Sequence, residues 1–287
     1  MEESARDLQY YVDIWERRRH GDRPIFTHTK EMWDQRAKEW VNNFGREKGK
    51  ETNRKRMLAI ADHLRGQGLL QDEQRVIDVG CGPGYYVAEF ARTAAQVTGT
   101  DLSDQMLVYA AAHAKDMGVC NVDFVQADFA QADIDALGWR GAFDLVFSSI
   151  TPAFSGIKAL EKMHAMSRGW CFNNGWVSRQ NTLKTAVRQA LFPDMPADTF
   201  GNSVYALFNI LWLTGKRPQI NYYREVAVER LPVDRELARY LMASILPPQE
   251  VTEQQTDDAL ALLQGLAHDG MVEERVESIF SWMLWHI

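Results

Sequence analysis

An α/β architecture around a largely parallel sheet is expected from three features of this 287-residue sequence. Short apolar runs alternate with helical stretches from Arg75 onward, the order that leads to parallel strand pairing. The first run, Val76-Ile77-Asp78-Val79, passes directly into the glycine-rich Gly80-Cys81-Gly82-Pro83-Gly84. A later run, Gln96-Val97-Thr98-Gly99-Thr100, ends in a carboxylate, Asp101. A buried strand, glycines where a ligand must approach the backbone without Cβ interference, and a helix N-terminus beyond them together make a nucleotide-binding turn.

The first seventy residues read as helical with a polar exterior. Trp33, Ala37, Trp40, Val41 and Phe44 recur at i, i+4, i+7, i+8 and i+11, one stripe of an amphipathic helix. A further helix is expected from about Thr52 to Arg65, stopped by Gly66. Strands at 75–79, 96–100, 122–127 and 143–148 then alternate with helices over about 85–94 and 103–117, the second ending at Gly118. A helix over about 156–167 precedes a fifth strand at Trp170-Cys171-Phe172-Asn173-Asn174. Asn202–Leu213 is a strongly apolar helix stopped by Gly215 and Pro218, and Gln219–Val228 has strand character. Thr252 and Gln255 form a capping box for a helix reaching about Ala267, and 276–285 alternates like a final strand. One domain is expected, with a helical extension (1–70), a cofactor-binding core (71–175), and a substrate-covering insertion with the C-terminal strands (176–287). The sequence contains no internal repeat or low-complexity linker.

Glycine spacing separates the cofactors that such a turn can hold. A dinucleotide turn of the form G-x-G-x-x-G/A needs a third small residue for close helix packing, and here that place is Tyr85. Glycines instead fall at 80, 82 and 84, with Asp78 two residues ahead of the first. A pyrophosphate gains nothing from that extra negative charge, whereas the ammonium and sulfonium groups of S-adenosylmethionine do. Asp101, at a strand end, can accept hydrogen bonds from both hydroxyls of an unphosphorylated ribose.

With these residues the chain resembles the class I S-adenosylmethionine-dependent methyltransferases over about residues 70–175. Asp78 to Gly84 is similar to the family's first motif, Thr100-Asp101-Leu102-Ser103 to its second acidic position, Val125-Gln126-Ala127-Asp128-Phe129 to its third, and Phe143–Ser149 to its fourth strand. The resemblance implies a Rossmann-like, mostly parallel seven-stranded sheet with an antiparallel last strand and helical N-terminal and lid additions. It also implies S-adenosylmethionine as cofactor and S-adenosylhomocysteine as product, held by Asp78, Gly80, Cys81, Gly82, Gly84, Tyr85, Asp101, Leu102, Met106, Asp128, Phe129 and Ser148. Of Tyr85 and Tyr86, one is expected at the ligand and one under the sheet. Family members that methylate planar amino nitrogens carry Asn/Asp-Pro-Pro-Tyr/Phe after the fourth strand; this chain has Ser148-Ser149-Ile150-Thr151-Pro152-Ala153-Phe154, which argues against such acceptors. No general base is evident.

Composition narrows the partners. The net charge of −7 disfavours broad contact with a phosphate backbone. Arg46, Lys48, Lys50, Arg54, Lys55 and Arg56, with Arg17–Arg19, are the basic exceptions, and such runs read first as solvated helix faces. Cys81, Cys120 and Cys171 form no C-x-x-C pair and the seven histidines show no ligand spacing, so neither disulfide nor metal is expected. Cys81 reads as a small residue filling a tight turn rather than a nucleophile. The longest apolar run contains Asn209 and is too short to span a bilayer, and the acidic start, Met1-Glu2-Glu3, lacks secretory-signal order. A cytoplasmic protein is expected. Trp33, Trp40 and Trp212 are read first as core residues and second as a lid cage; Ser149 and Thr151 are read first as satisfying nearby backbone. A small-molecule methyl acceptor is the leading reading. A macromolecular acceptor stands second, and a nicotinamide-dependent oxidoreductase or non-catalytic adenosyl-ligand binder third.

Overall fold

A computed structural model describes residues 2–17, 29–43, 47–195, 201–247 and 250–287. Its centre is a seven-stranded sheet in the order β3-β2-β1-β4-β5-β7-β6. The strands are β1 (Arg75–Val79), β2 (Gln96–Asp101), β3 (Val122–Gln126), β4 (Phe143–Ser149), β5 (Ser167–Asn181), β6 (Gln219–Pro232) and β7 (Met271–His286). β1 pairs in parallel with β2 and β4, β2 with β3, and β4 with β5. The last strands in the sheet order are antiparallel: the Ile287 amide donates to the Gly169 carbonyl at 2.9 Å, and Ser281 Oγ to that of Gly175 at 3.4 Å. In β1 every residue after Arg75 is buried, as expected for a parallel strand covered on both faces. β6, at the sheet edge, instead alternates between exposed and half-buried positions.

Three helices precede the sheet: α1 (Glu2–Arg17), within the segment read as helical but not itself named there, and α2 (Lys30–Asn43) and α3 (Glu47–Gly66), where the two named helices were expected. Then come α4 (Tyr85–Phe90), α5 (Asp104–Asp116) and α6 (Ile157–Met166) between the parallel strands. α4 is shorter than the expected 85–94, because residues 91–94 close into turns on Val87, Glu89 and Phe90 carbonyls. α7 (Thr182–Leu191), α8 (Asn202–Leu213), α9 (Arg235–Ile245) and α10 (Glu253–Leu266) complete the chain. The capping box at Thr252 and Gln255 is formed as read. α7 and α9 were not expected. Each is amphipathic and capped through an N-cap side chain, Asn181 and Asp234 respectively.

The described residues form two compact units. Unit 1 comprises residues 1–176, 201–223 and 280–287; unit 2 comprises 177–200 and 224–279, inside the segment read as a covering insertion. The core of unit 1 joins Ile60 and Leu64 of α3, Val76, Phe90, Val97, Leu145, Phe147, Phe172 and Leu284. That of unit 2 joins Leu183 and Val187 of α7, Leu231, Leu237, Leu241 and Met242 of α9, Leu263 of α10 and Val272. The chain passes between the units within β5, β6 and β7, which is why β5 and β7 run far past the expected 170–174 and 276–285.

Some expected core and surface roles change places. Trp212 is 50 % exposed, with the Arg217 guanidinium 4.6 Å above its ring, so it is not a core residue. Trp33 is half-buried and Ala37 fully buried, so the stripe of α2 does face inward there; the Trp40, Val41 and Phe44 side chains lie outside the described residues. Arg54 and Lys55 are exposed beside Glu51, as a solvated face requires. Arg56 departs from that reading: it is 7 % exposed, donates to Asn53 Oδ1 at 2.6 Å and lies 4.3 Å over the Phe280 ring. The side chains of Arg17, Arg18, Arg19, Arg46, Lys48 and Lys50 lie outside the described residues.

Candidate functional site

In an open sheet with parallel strands, ligands bind outside the carboxyl ends where the strand order reverses. Here that point lies between β1 and β4, and the turns leaving both strands meet there. Gly80 has φ +71°, and a Cβ on it would lie 2.0 Å from Thr151 Oγ1 of the turn after β4. Gly84 has φ +74°, and its Cβ would lie 2.7 Å from that of Ala110 on α5. Only glycine meets both demands at these positions, left-handed backbone and contact closer than a methyl allows. The amides of Gly80 and Cys81 both donate to the Thr100 carbonyl, at 2.8 and 2.9 Å, tying the turn to the end of β2.

Asp101 is the organising acid of this turn. One carboxylate oxygen accepts from the Gly82 amide and the other from the Ser103 amide, both at 2.9 Å. Each oxygen keeps acceptor capacity for a ligand hydroxyl. Burial raises the Asp101 pKa from the ordinary carboxylate value, although the amides of Ser103, Gly82 and Leu102 favour its charged form. Asp78, inside β1, is 2 % exposed and its Oδ2 has no hydrogen-bond partner among the described residues. Burial, followed by the charge of Asp101, holds its carboxyl well above the usual range. Thr100 Oγ1 is likewise buried without a partner. A buried acid and a half-buried one beside a glycine turn make a site that gains from a cationic ligand and from hydroxyl donors.

The other residues singled out in the sequence fall into two groups. Leu102 and Met106 border the Asp101 turn: the Leu102 carbonyl accepts from Gln126 Nε2 at 3.1 Å, and the Met106 amide donates to Ser103 Oγ, the N-cap of α5. Asp128 is exposed just beyond β3, its Oδ1 accepting from the Ala130 amide at 3.0 Å. Phe129 is 3 % exposed, with Lys162 Nζ 5.5 Å from its ring and bonded to its carbonyl. The Ser148 hydroxyl is committed to β5, donating to the Phe172 carbonyl and accepting from Asn173 Nδ2. Tyr85 turns toward α5, edge-on to His113 at 4.8 Å. Tyr86 packs on Phe147 at 4.9 Å while its hydroxyl reaches the end of β4. Cys81 is buried, and burial with the nearby Asp78 and Asp101 pushes its thiol pKa well up, the opposite of an activated nucleophile.

Ser149 corrects the backbone reading. Its hydroxyl donates to Tyr86 Oη at 3.3 Å and accepts from Asn174 Nδ2 at 2.8 Å, so it serves side chains. Thr151 behaves as read, accepting from the Ala153 amide at 3.2 Å.

Sequence reasoning also passed over two residues near this end of the sheet. Asp34 of α2 accepts from Ser103 Oγ and from Lys30, which also pairs with Asp104; this pins α2 to the start of α5 beside the Asp101 turn. Nothing local in the sequence marks Asp34. Asn174, adjacent to Asn173, does carry a signal: two carboxamides closing an otherwise apolar strand.

A profile of the methyltransferase domain family matches residues 76–169, which hold the glycine turn, Asp101 and β4. Magnesium protoporphyrin IX methyltransferase from Synechocystis PCC 6803 shares the fold at TM-score 0.52 and 13% identity, over 87% of this chain and 97% of that one. Ubiquinone biosynthesis O-methyltransferase of Pectobacterium atrosepticum is 40% identical over 82 residues, 29% of this chain and 32% of that protein. A 23S rRNA (uracil-C5)-methyltransferase of Shewanella sediminis is 31% identical over 96 residues, 33% of this chain and 22% of that protein. The chain thus spans no more than a third of the length of these two relatives. Among the described residues, no helix is long and apolar enough to cross a membrane. By the family match and the sheet order, residues 76–169 belong to the class I S-adenosylmethionine-dependent methyltransferases.

Proposed function

We propose that this protein is an S-adenosylmethionine-dependent methyltransferase acting on a small-molecule acceptor. One observation carries the reading: a buried Asp78 with an unpartnered carboxylate oxygen, beneath a glycine turn whose far side is held by Asp101. The residues fit the donor. Asp78 faces its cationic groups, Asp101 takes the ribose hydroxyls, and Leu102, Met106 and Asp128 lie along the adenine side. When bound, S-adenosylmethionine supplies a methyl group activated by its sulfonium. The chain's own task is to orient the acceptor and exclude water. The turn after β4 lies against Gly80, and α1 packs on that turn through Trp15 and Phe154 (5.4 Å) and on α8 through Tyr11 and Tyr205 (5.4 Å).

A small acceptor is supported by charge. The chain carries −7, Arg54 and Lys55 share one partner in Glu51, and Arg56 is buried, so this part of α3 offers little free positive charge to a phosphate backbone. The likeness to an RNA methyltransferase keeps RNA as the second reading. Calorimetric titration with S-adenosylmethionine, S-adenosylhomocysteine and NAD tests the donor assignment. The two sulfur nucleosides should bind and NAD should not; NAD binding, or no binding by any of the three, would overturn it. Titration with ribosomal RNA across a salt series tests the acceptor class, and tight, steeply salt-dependent binding would replace the small-molecule reading.

A further inference from the structure

Where β4 ends, opposite the middle of β5, a chain of polar side chains ends in an atom with nothing to bind. Ser149 and Asn174 are register partners across these strands. Asn174 is fully buried; its Nδ2 donates to Ser149 Oγ at 2.8 Å, and its Oδ1 has no hydrogen-bond partner among the described residues. Ser149 donates onward to Tyr86 Oη at 3.3 Å. Both hydrogen bonds run toward Tyr86, and the carboxamide oxygen of Asn174 is left without a partner. Leaving a buried carbonyl oxygen unpaired costs about 1–3 kcal/mol, and native interiors rarely accept it without a reason.

A second observation falls on the same spot. Ile150, the next residue after Ser149, has φ +49°. A β-branched residue in the left-handed region is strained, and strain of this kind concentrates at ligand sites. The strained residue donates its amide to the Asn174 carbonyl at 2.9 Å, which holds this part of β5 beside the turn that covers Gly80. Adjacent strands lie about 4.8 Å apart, so Asn174 sits roughly two strand spacings from the glycine turn, on the side of β4 away from the donor.

We propose that Asn174 Oδ1 is the recognition atom for the methyl acceptor, and that it selects an acceptor presenting a hydroxyl or amine hydrogen. This inference rests on the methyl-transfer reading above. Asn174 orients the acceptor through that hydrogen, and Ser149, itself bonded to Tyr86, holds the carboxamide nitrogen and leaves the oxygen unpaired. A site with a lone buried acceptor discriminates strongly against analogues that lack the hydrogen, because its oxygen then stays unpaired. Carboxylates and thiolates, which present only lone pairs, are excluded on the same ground.

The test uses the full chain saturated with S-adenosylhomocysteine and two matched probe pairs: phenol with anisole, and aniline with N,N-dimethylaniline. Ligand-observed NMR titration should show each hydrogen-bearing probe binding at least tenfold more tightly than its methylated partner. Asn174→Leu should abolish that preference and Asn174→Asp, which keeps an outward oxygen, should retain it; both should bind S-adenosylhomocysteine within threefold of the parent. Equal binding of the paired probes, including no binding of either, overturns the proposal even if Asn174→Leu proves unstable. So does a preference that survives Asn174→Leu. A loss of S-adenosylhomocysteine affinity in Asn174→Asp would instead assign the residue to the donor. If the parent protein fails to bind S-adenosylhomocysteine, the methyl-transfer reading itself falls, a result seen before any probe is added.

Discussion

Gly80→Ala perturbs the donor turn at its tightest point, and its cost divides into two parts that can be measured separately. The first is conformational: φ is +71°, and an L-residue in the left-handed region costs about 1–2 kcal/mol. The second is steric. The new methyl would lie 2.0 Å from Thr151 Oγ1 and 2.8 Å from its Cβ, so the turn after β4 must move; overpacking of this kind costs about 1–3 kcal/mol. Urea unfolding of the ligand-free protein should therefore show a loss of about 2–5 kcal/mol. Combining Gly80→Ala with Thr151→Gly removes the steric part and leaves the conformational one, so the double variant should regain stability relative to the sum of the two single variants. Donor binding should follow the same order, because residue 80 lies in the same turn as Gly82, whose amide bonds Asp101. If Gly80→Ala leaves unfolding and S-adenosylmethionine binding unchanged, or if the cycle shows no coupling between residues 80 and 151, the packing described here is wrong.

The remaining predictions concern charge. Asp101→Ala removes charge-assisted hydrogen bonds worth about 1.5–3 kcal/mol and should weaken donor binding roughly tenfold to hundredfold by calorimetry; unchanged affinity in the folded variant would refute the ribose assignment. Asp78 has a raised pKa in the free protein, and a cation beside it favours the carboxylate. Donor binding should therefore release a proton and strengthen as pH rises through the free-state pKa, read by calorimetry in buffers of different ionisation enthalpy, with Asp78→Asn abolishing the release. His164 accepts a hydrogen bond from Trp285 Nε1 at 2.9 Å, and burial, then the charge of Lys216, hold its pKa down to about 4. The unfolded chain takes up this proton first, so stability should fall as pH drops from about 6.5 toward 4, by about 2 kcal/mol after allowing for partial exposure. His164→Gln should flatten that limb of the stability–pH curve. Lys30, followed by Ser103, keeps Asp34 below the ordinary carboxylate pKa, so the tie between α2 and α5 persists above that value and is lost as acid protonates Asp34. Asp34→Ala should speed amide exchange in residues 30–43 at neutral pH while leaving β1 and β4 protected; unchanged exchange would dismiss the tie.

The sequence by itself determined the donor half of this protein, because that half is written in local terms. The short apolar runs of β1, β2 and β4, the glycines at 80, 82 and 84 and the acid at 101 lie close together in the sequence, where their chemistry follows from backbone geometry, and each strand lies where its pattern puts it. The Trp33 and Ala37 positions of the α2 stripe and the capping box of α10 were legible for the same reason. Tertiary structure alone decided what depends on residues distant in the chain. Arg56 looks like one more charge in a basic run, yet folding buries it over the Phe280 ring, where it donates to Asn53. Ser149 looks like a backbone cap until β5 brings Asn174 beside it. Asp34 becomes part of the donor turn's support only because α2 folds onto Ser103, 69 positions along the chain. The length of β5 and β7 follows from their passing through two cores, which no window of local sequence reveals. Local pattern sets dihedrals and which face is buried, whereas hydrogen-bond partners across the sheet are fixed only when the strands pair.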